Sequence, residues 1–165
     1  MVTFISGKVN SGKTTKLWDL FKSETNGAGY LCEKIIGQNS NFVGYDIVNI
    51  RNFSEKIAFI RTNDSINKKD WNQKFSFSRF SFSDDGFQLA NQIFETAMSE
   101  SSKSFFIDEI GPLELQGQGF SALFVKAIKS FNRLYVVTRY SCLEAVIKNF
   151  DIKNYEIILL PSKAS

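Results

Sequence analysis

Gly7-Lys8-Val9-Asn10-Ser11-Gly12-Lys13-Thr14 runs as glycine, four residues, glycine, lysine and threonine, which is the spacing of a phosphate-binding P-loop. Its flanks suit it. Val2-Thr3-Phe4-Ile5 reads as a short apolar strand, and Thr15 to Phe21 carries an apolar face at Leu17, Leu20 and Phe21, the periodicity of a helix. Strand, glycine loop and helix therefore follow in the required order. The glycines let the backbone curl until several N–H groups point into one concavity. That concavity and the N-terminus of the following helix both favour a phosphate chain. The expected nucleotide-binding residues are Gly7, Lys8, Val9, Asn10, Ser11, Gly12, Lys13, Thr14 and Thr15. In such a loop the lysine, here Lys13, reaches the β- and γ-phosphates as a catalytic cation, and the hydroxyl of Thr14 ligates Mg²⁺.

Composition narrows the setting. A chain of 165 residues with 43% hydrophobic content is expected to form a single domain, residues 1–165, with a real core. Seventeen phenylalanines are many, and most are expected in that core. The net charge of +3 is mild and no long basic run occurs, so no nucleic-acid surface is indicated. Histidine is absent, which excludes His-based acid–base chemistry, His–Cys zinc sites and Ser-His-Asp triads within the chain. Cys32 and Cys142 are far apart, without metal-type spacing, and read as buried or free thiols of a reducing compartment. No secretory leader and no stretch of membrane-spanning length can be read. A cytoplasmic protein with no membrane partner is expected.

Strand and helix patterns alternate along the chain. Gly29 to Ile36 reads as a strand, and Phe42 to Ile50 with Lys56 to Arg61 as an antiparallel hairpin. Asn63 to Gln73 is polar and reads as a loop. Phe75 to Phe82 alternates with period two but breaks phase at Arg79-Phe80, which predicts a bulge or turn. Ser83 is expected to cap a helix whose apolar face is Phe87, Ala90, Ile93, Phe94 and Ala97. Ser104 to Ile107 is an apolar strand, Phe120 to Phe131 an amphipathic helix, Leu134 to Thr138 a strand, Ser141 to Phe150 a helix and Glu156 to Leu160 the last strand. Such alternation predicts an α/β fold: a mostly parallel sheet flanked by helices on both faces, with a short antiparallel hairpin.

The second half of a site lies at Phe105-Phe106-Ile107-Asp108-Glu109. A buried apolar strand ending in aspartate is the arrangement that holds Mg²⁺ opposite a P-loop threonine, so Asp108 and Thr14 are the expected metal residues. Glu109 then lies near the attacking water as base or positioner. A glutamate beside the aspartate is the pattern of P-loop ATPases with one extra strand between the P-loop strand and the Asp strand. Leu134 to Val137 is the candidate for that strand, and Thr138 at its end is a candidate phosphate sensor. Arg139, next in line, is the first choice for an arginine finger supplied in cis, ahead of Arg51, Arg61, Arg79 and Arg133. A guanine-specific reading has some support, because Asp108-Glu109-Ile110-Gly111 matches Asp-x-x-Gly and Asn67-Lys68-Lys69-Asp70 matches Asn-Lys-x-Asp. The order of the two is reversed from that of regulatory GTPases, so Asn67–Asp70 reads as a chance match.

With these segments in order, the chain resembles the small nucleoside-triphosphatase family of P-loop proteins. The resemblance rests on Phe4 to Thr15, on Gly29-Tyr30-Leu31-Cys32-Glu33, on Val43 to Val48, and above all on Asp108-Glu109-Ile110-Gly111-Pro112-Leu113-Glu114-Leu115. It implies a core like that of RecA-type ATPases and Mg²⁺-dependent hydrolysis of nucleoside triphosphates to diphosphates with loose base choice. It also implies roles for Lys13, Thr14, Asp108 and Glu109. The chain departs from the family at Val9-Asn10-Ser11, at Pro112 and between Asn52 and Phe82. A nucleoside or nucleotide kinase ranks second, because such enzymes gather arginines in a lid and the arginines here are scattered. A nucleotide switch with little turnover ranks third, because a pure binder has no need of Glu109.

Overall fold

The computed structural model of the protein describes residues 1–66 and 69–161, apart from the side chain of Asn39. Among the described residues nine strands form one sheet: β1 (Val2–Gly7), β2 (Gly27–Ile36), β3 (Phe42–Asn49), β4 (Asn52–Thr62), β5 (Gln73–Phe77), β6 (Phe80–Ser83), β7 (Ser104–Ile110), β8 (Arg133–Arg139) and β9 (Tyr155–Leu159). The α-helices among the described residues are α1 (Lys13–Lys22), α2 (Asp84–Ser99), α3 (Pro112–Leu115), α4 (Ser121–Ser130) and α5 (Leu143–Asn149). The order across the sheet is β5-β6-β4-β3-β2-β7-β8-β1-β9. The expected intervening strand is present, since β8 pairs with β1 on one side and β7 on the other, both parallel.

The expected α/β sheet flanked by helices is present, and its parallel character is met in part. β2, β7, β8, β1 and β9 are parallel neighbours. On the far side of β2, however, β3, β4, β6 and β5 are joined only by antiparallel pairings. The single hairpin expected is a four-stranded wing. Its outer hairpin turns at Ser78, whose φ of 56° places it in the left-handed region, where the period-two pattern broke phase. The short turns from β2 to β3, from β3 to β4 and from β5 to β6 impose antiparallel pairing there, because parallel neighbours need a long crossover and hairpins do not.

Strand alternation sorts the core. Phe4, Phe105, Ile107 and Val136 face the side packed by α2, α4 and α5. Their chain neighbours Ile5, Phe106 and Val137 face the side packed by α1 through Leu17. Successive side chains on a strand point to opposite faces, so a parallel strand covered on both sides reads as continuously apolar. The predicted face of α2 is buried at Phe87, Ala90, Ile93, Phe94 and Ala97. Asp84 and Asp85 sit in its first turn, where they complement the helix dipole. Ser83 occupies the cap position but makes no capping hydrogen bond. It closes β6 and is buried.

Candidate active site

The glycine loop joins β1 to α1 across the end of the sheet. Gly12, at φ 89° with open space around a would-be Cβ, begins α1. Asn10 also has a positive φ, 61°. Gly7 is closed in: a Cβ there would stand 2.6 Å from Ser11 Oγ. Lys13 folds back over its own loop. Its Nζ donates to the Lys8 carbonyl at 2.7 Å and to the Gly7 carbonyl at 3.4 Å. Burial lowers the Lys13 pKa, against the opposing pull of Glu109. Val9 to Thr14 line a cleft of about 480 Å³. Gly7 and Lys8 lie outside that lining and contribute the carbonyls that hold Lys13, and Thr15 lies exposed on α1, also outside it.

Asp108 meets this loop from β7. Its Oδ1 accepts from Thr14 Oγ1 at 3.2 Å, and its Oδ2 accepts from the Cys32 backbone N–H at 2.9 Å. It is 2% exposed, and burial pushes its pKa up to about 7 despite the Cys32 amide and Thr14. Cys32 in turn donates its thiol to the Asp108 carbonyl at 3.4 Å, and burial raises the thiol pKa well above its usual value. Both cysteines are free and buried.

Glu109 is placed by a defect in the ladder. Between Ile107↔Val136 and Ile110↔Thr138, β7 advances three residues while β8 advances two. Glu109 takes φ 74°, so the extra residue is absorbed in the left-handed region. A bulge of this kind re-aims a side chain, and a non-glycine residue at such a φ is strained by order 1–3 kcal/mol. The strand thus continues to Ile110 rather than ending at Ile107, and the bulge lets two consecutive carboxylates serve one cleft. Arg139 holds Glu109 there: Nε and Nη2 reach Oε1 at 2.9 and 2.8 Å. Glu109 is the main cause of the raised Arg139 pKa. Thr138 is fully buried and its hydroxyl has no partner, nor do those of Ser6, its register neighbour, and Ser11. Orphaned hydroxyls are uncommon in a finished interior.

Three features were not read from the sequence. The Cys32 amide holds Asp108. Glu114 is a buried carboxylate that accepts from the N–H groups of Gly111 at 2.8 Å and Phe120 at 2.9 Å, so it ties down the loop that follows the bulge. Lys34 and Tyr45 enter the cleft from β2 and β3. The spacing of Glu114 from Gly111 was a visible signal for the second feature; the others depend on strand pairing. Of the Asn67–Asp70 pattern, Asn67 and Lys68 lie outside the described residues.

The fold and the glycine loop together define a P-loop nucleotide-binding protein. The sequence pattern of the NTPase family matches residues 2–160, and the chain belongs to that family. Two solved structures share the fold. THEP1 from the hyperthermophile Aquifex aeolicus is 19% identical, with a TM-score of 0.69 over 97% of this chain and 90% of that one. A human cancer-related nucleoside triphosphatase is 20% identical, with a TM-score of 0.67 over 98% and 89%. No curated protein sequence matches the chain.

Proposed function

We propose that the protein hydrolyses nucleoside triphosphates to diphosphate and phosphate in an Mg²⁺-dependent reaction. The observation that carries this reading is the pair Asp108 and Glu109, set by one bulge opposite Lys13 and Thr14. The substrates are ATP, GTP and other triphosphates, with the loose base choice that the family resemblance implies. We treat residues 1–165 as one domain because one sheet carries every described strand.

Lys13 and Arg139 each hold a stand-in for phosphate. Lys13 holds loop carbonyls and Arg139 holds Glu109. A triphosphate gives both cations a better partner, because charge-assisted contacts to phosphate are the stronger ones. Arg139 then neutralises charge at the terminal phosphate as an arginine finger in cis, and its departure frees Glu109 to accept a proton from the attacking water. Thr138 supplies an unspent hydroxyl at the end of the intervening strand. Val9 to Ser11 and Gly12 present the backbone concavity for the phosphates.

Thr14 and Asp108 fit Mg²⁺. They are hard oxygen donors 3.2 Å apart, and among the described residues no cluster of three or more acidic, cysteine or histidine side chains competes as a cage. Mg²⁺ takes one or two protein oxygens and fills its shell with phosphates and water; when bound it neutralises charge on the β- and γ-phosphates. No helix among the described residues is long and apolar enough to cross a membrane. With two free thiols, the cytoplasm is the setting we propose.

The test is phosphate release from ATP, GTP, CTP and UTP with Mg²⁺, run beside Glu109→Gln. Release from several of them, reduced on the order of 10²-fold or more by Glu109→Gln with nucleotide binding retained, is the expected result. Undiminished release from the variant would remove Glu109 from the chemistry.

A further inference from the structure

A second cavity, also about 480 Å³, opens beside the phosphate cleft on the side of the antiparallel wing. The two share walls: Val9 and Asn10 of the loop, Cys32 and Lys34 of β2, Tyr45, Glu109 and Arg139 line both. The junction between them is therefore at the groups assigned to the terminal phosphate. Beyond that junction the second cavity is built of rings. Phe59, Phe82, Phe87 and Phe120 form its buried side. They brace one another, with Phe59 at 4.9 Å from Phe87 and 5.2 Å from Phe120, and Phe87 at 5.0 Å from Phe120. Phe77 and Phe80, half-buried, stand nearer the opening.

A water molecule needs none of this. Hydrolysis asks for a small polar spot near Glu109, not an aromatic hollow. Cavities that are mostly apolar, with a few convergent polar groups at one end, are the form of small-molecule sites. Flat aromatic faces favour a flat ring against them by offset stacking or edge contact. Glu114, the other carboxylate on the wall, already accepts from Gly111 and Phe120. Glu109 is thus the carboxylate left to receive a proton, and it stands where ring cavity and phosphate cleft meet.

We propose that this cavity is the seat of a phosphoryl acceptor, a molecule with a flat uncharged ring and a hydroxyl, and that the protein transfers the terminal phosphoryl group to that hydroxyl. The proposal rests on the triphosphate site described above. The ring lies among Phe77, Phe80 and Phe82, and the hydroxyl points to Glu109. The hydroxyl oxygen forms a bond to the γ-phosphorus as the bond from that phosphorus to the β,γ-bridging oxygen breaks. The hydroxyl proton passes to Glu109, and the nucleoside diphosphate leaves with the bridging oxygen. The products are a phosphomonoester and a diphosphate. Hydrolysis is the same step with water in place of the hydroxyl, and an acceptor that fills the cavity keeps that water out.

The experiment follows ATP and Mg²⁺ by ³¹P NMR with thymidine, adenosine or pyridoxine added, and with glycerol as a ringless alcohol. The expected result is a phosphomonoester of at least one ring alcohol, formed together with ADP while inorganic phosphate falls, and none from glycerol. Phe80→Ala should lower the initial rate of that product at least tenfold at low acceptor concentration. ADP and inorganic phosphate in equal amounts in every mixture, with no phosphomonoester, would overturn the acceptor site and leave hydrolysis standing. Equal product from glycerol, or an undiminished rate in Phe80→Ala, would overturn recognition by the ring cavity. Neither ADP nor phosphate from any mixture would instead overturn the hydrolase reading beneath it.

Discussion

Glu109 is held at φ 74° by its surroundings, not by its own preference, and this gives a test that separates its roles. Glycine adopts that region without penalty but loses more freedom on folding. The ion pair to Arg139 is open to solvent, with the Arg139 side chain 47% and the Glu109 side chain 36% exposed, and such pairs contribute roughly 0–1 kcal/mol. Glu109→Gly should therefore leave the unfolding free energy unchanged or raised, within about 1 kcal/mol, while hydrolysis is lost. Urea denaturation checks the first half; a loss of several kcal/mol would show that the bulge needs the carboxylate. Arg139→Ala belongs to the same scale. Its effect on stability should be small for the same reason, but phosphate release should fall on the order of 10²-fold or more if the guanidinium serves the terminal phosphate. Turnover equal to that of the intact protein would return Arg139 to the role of a surface partner of Glu109.

Where elements meet, close approach and capping decide. β2 and β7 come so near that a Cβ on Gly29 would stand 2.1 Å from the Phe106 carbonyl oxygen. That atom is backbone and cannot step aside. Gly29→Ala should destabilise by about 1–3 kcal/mol, seen as a lower urea midpoint, and it should also loosen the Cys32–Asp108 contact three residues on. The loop from Gly111 to Phe120 depends on Glu114. Burial raises the pKa of Glu114 even against its backbone donors. A carboxyl whose folded pKa exceeds its unfolded value binds its proton more tightly when folded. Its contribution is therefore greatest below the unfolded value and declines as pH rises through the folded one. Glu114→Gln cannot titrate, so its melting temperature should change less between pH 4 and 7 than that of the intact protein. Parallel pH profiles for the two would show that the slope arises elsewhere.

For the whole molecule, ligand and fold are linked. The loop, β7 and β8 belong to one sheet, so a nucleotide that holds them together stabilises all of it. At 100 times its dissociation constant, MgATP should add about 2.7 kcal/mol, or roughly 5–11 °C in melting temperature for a chain of this size. Differential scanning fluorimetry checks this. Lys13→Ala should abolish the shift at the same concentration, and a full shift in that variant would place the nucleotide elsewhere.

Local order was plain from sequence because it is written in neighbours. The spacing of Gly7, Gly12, Lys13 and Thr14, the apolar run before Asp108 and the helical face from Phe87 to Ala97 each depend on residues within one or two turns. Their periodicity follows from backbone geometry alone. The sequence by itself thus determined the P-loop, the alternating elements and the family pattern. What only the tertiary structure decided depends on pairing between distant segments. The four antiparallel strands, the one-residue bulge that aims Glu109, the Cys32 amide on Asp108 and the ring-lined cavity all arise from register between strands tens of residues apart. Period-two alternation tells which residues share a face. It carries no record of which strand lies alongside, and that choice is made by packing across the whole sheet.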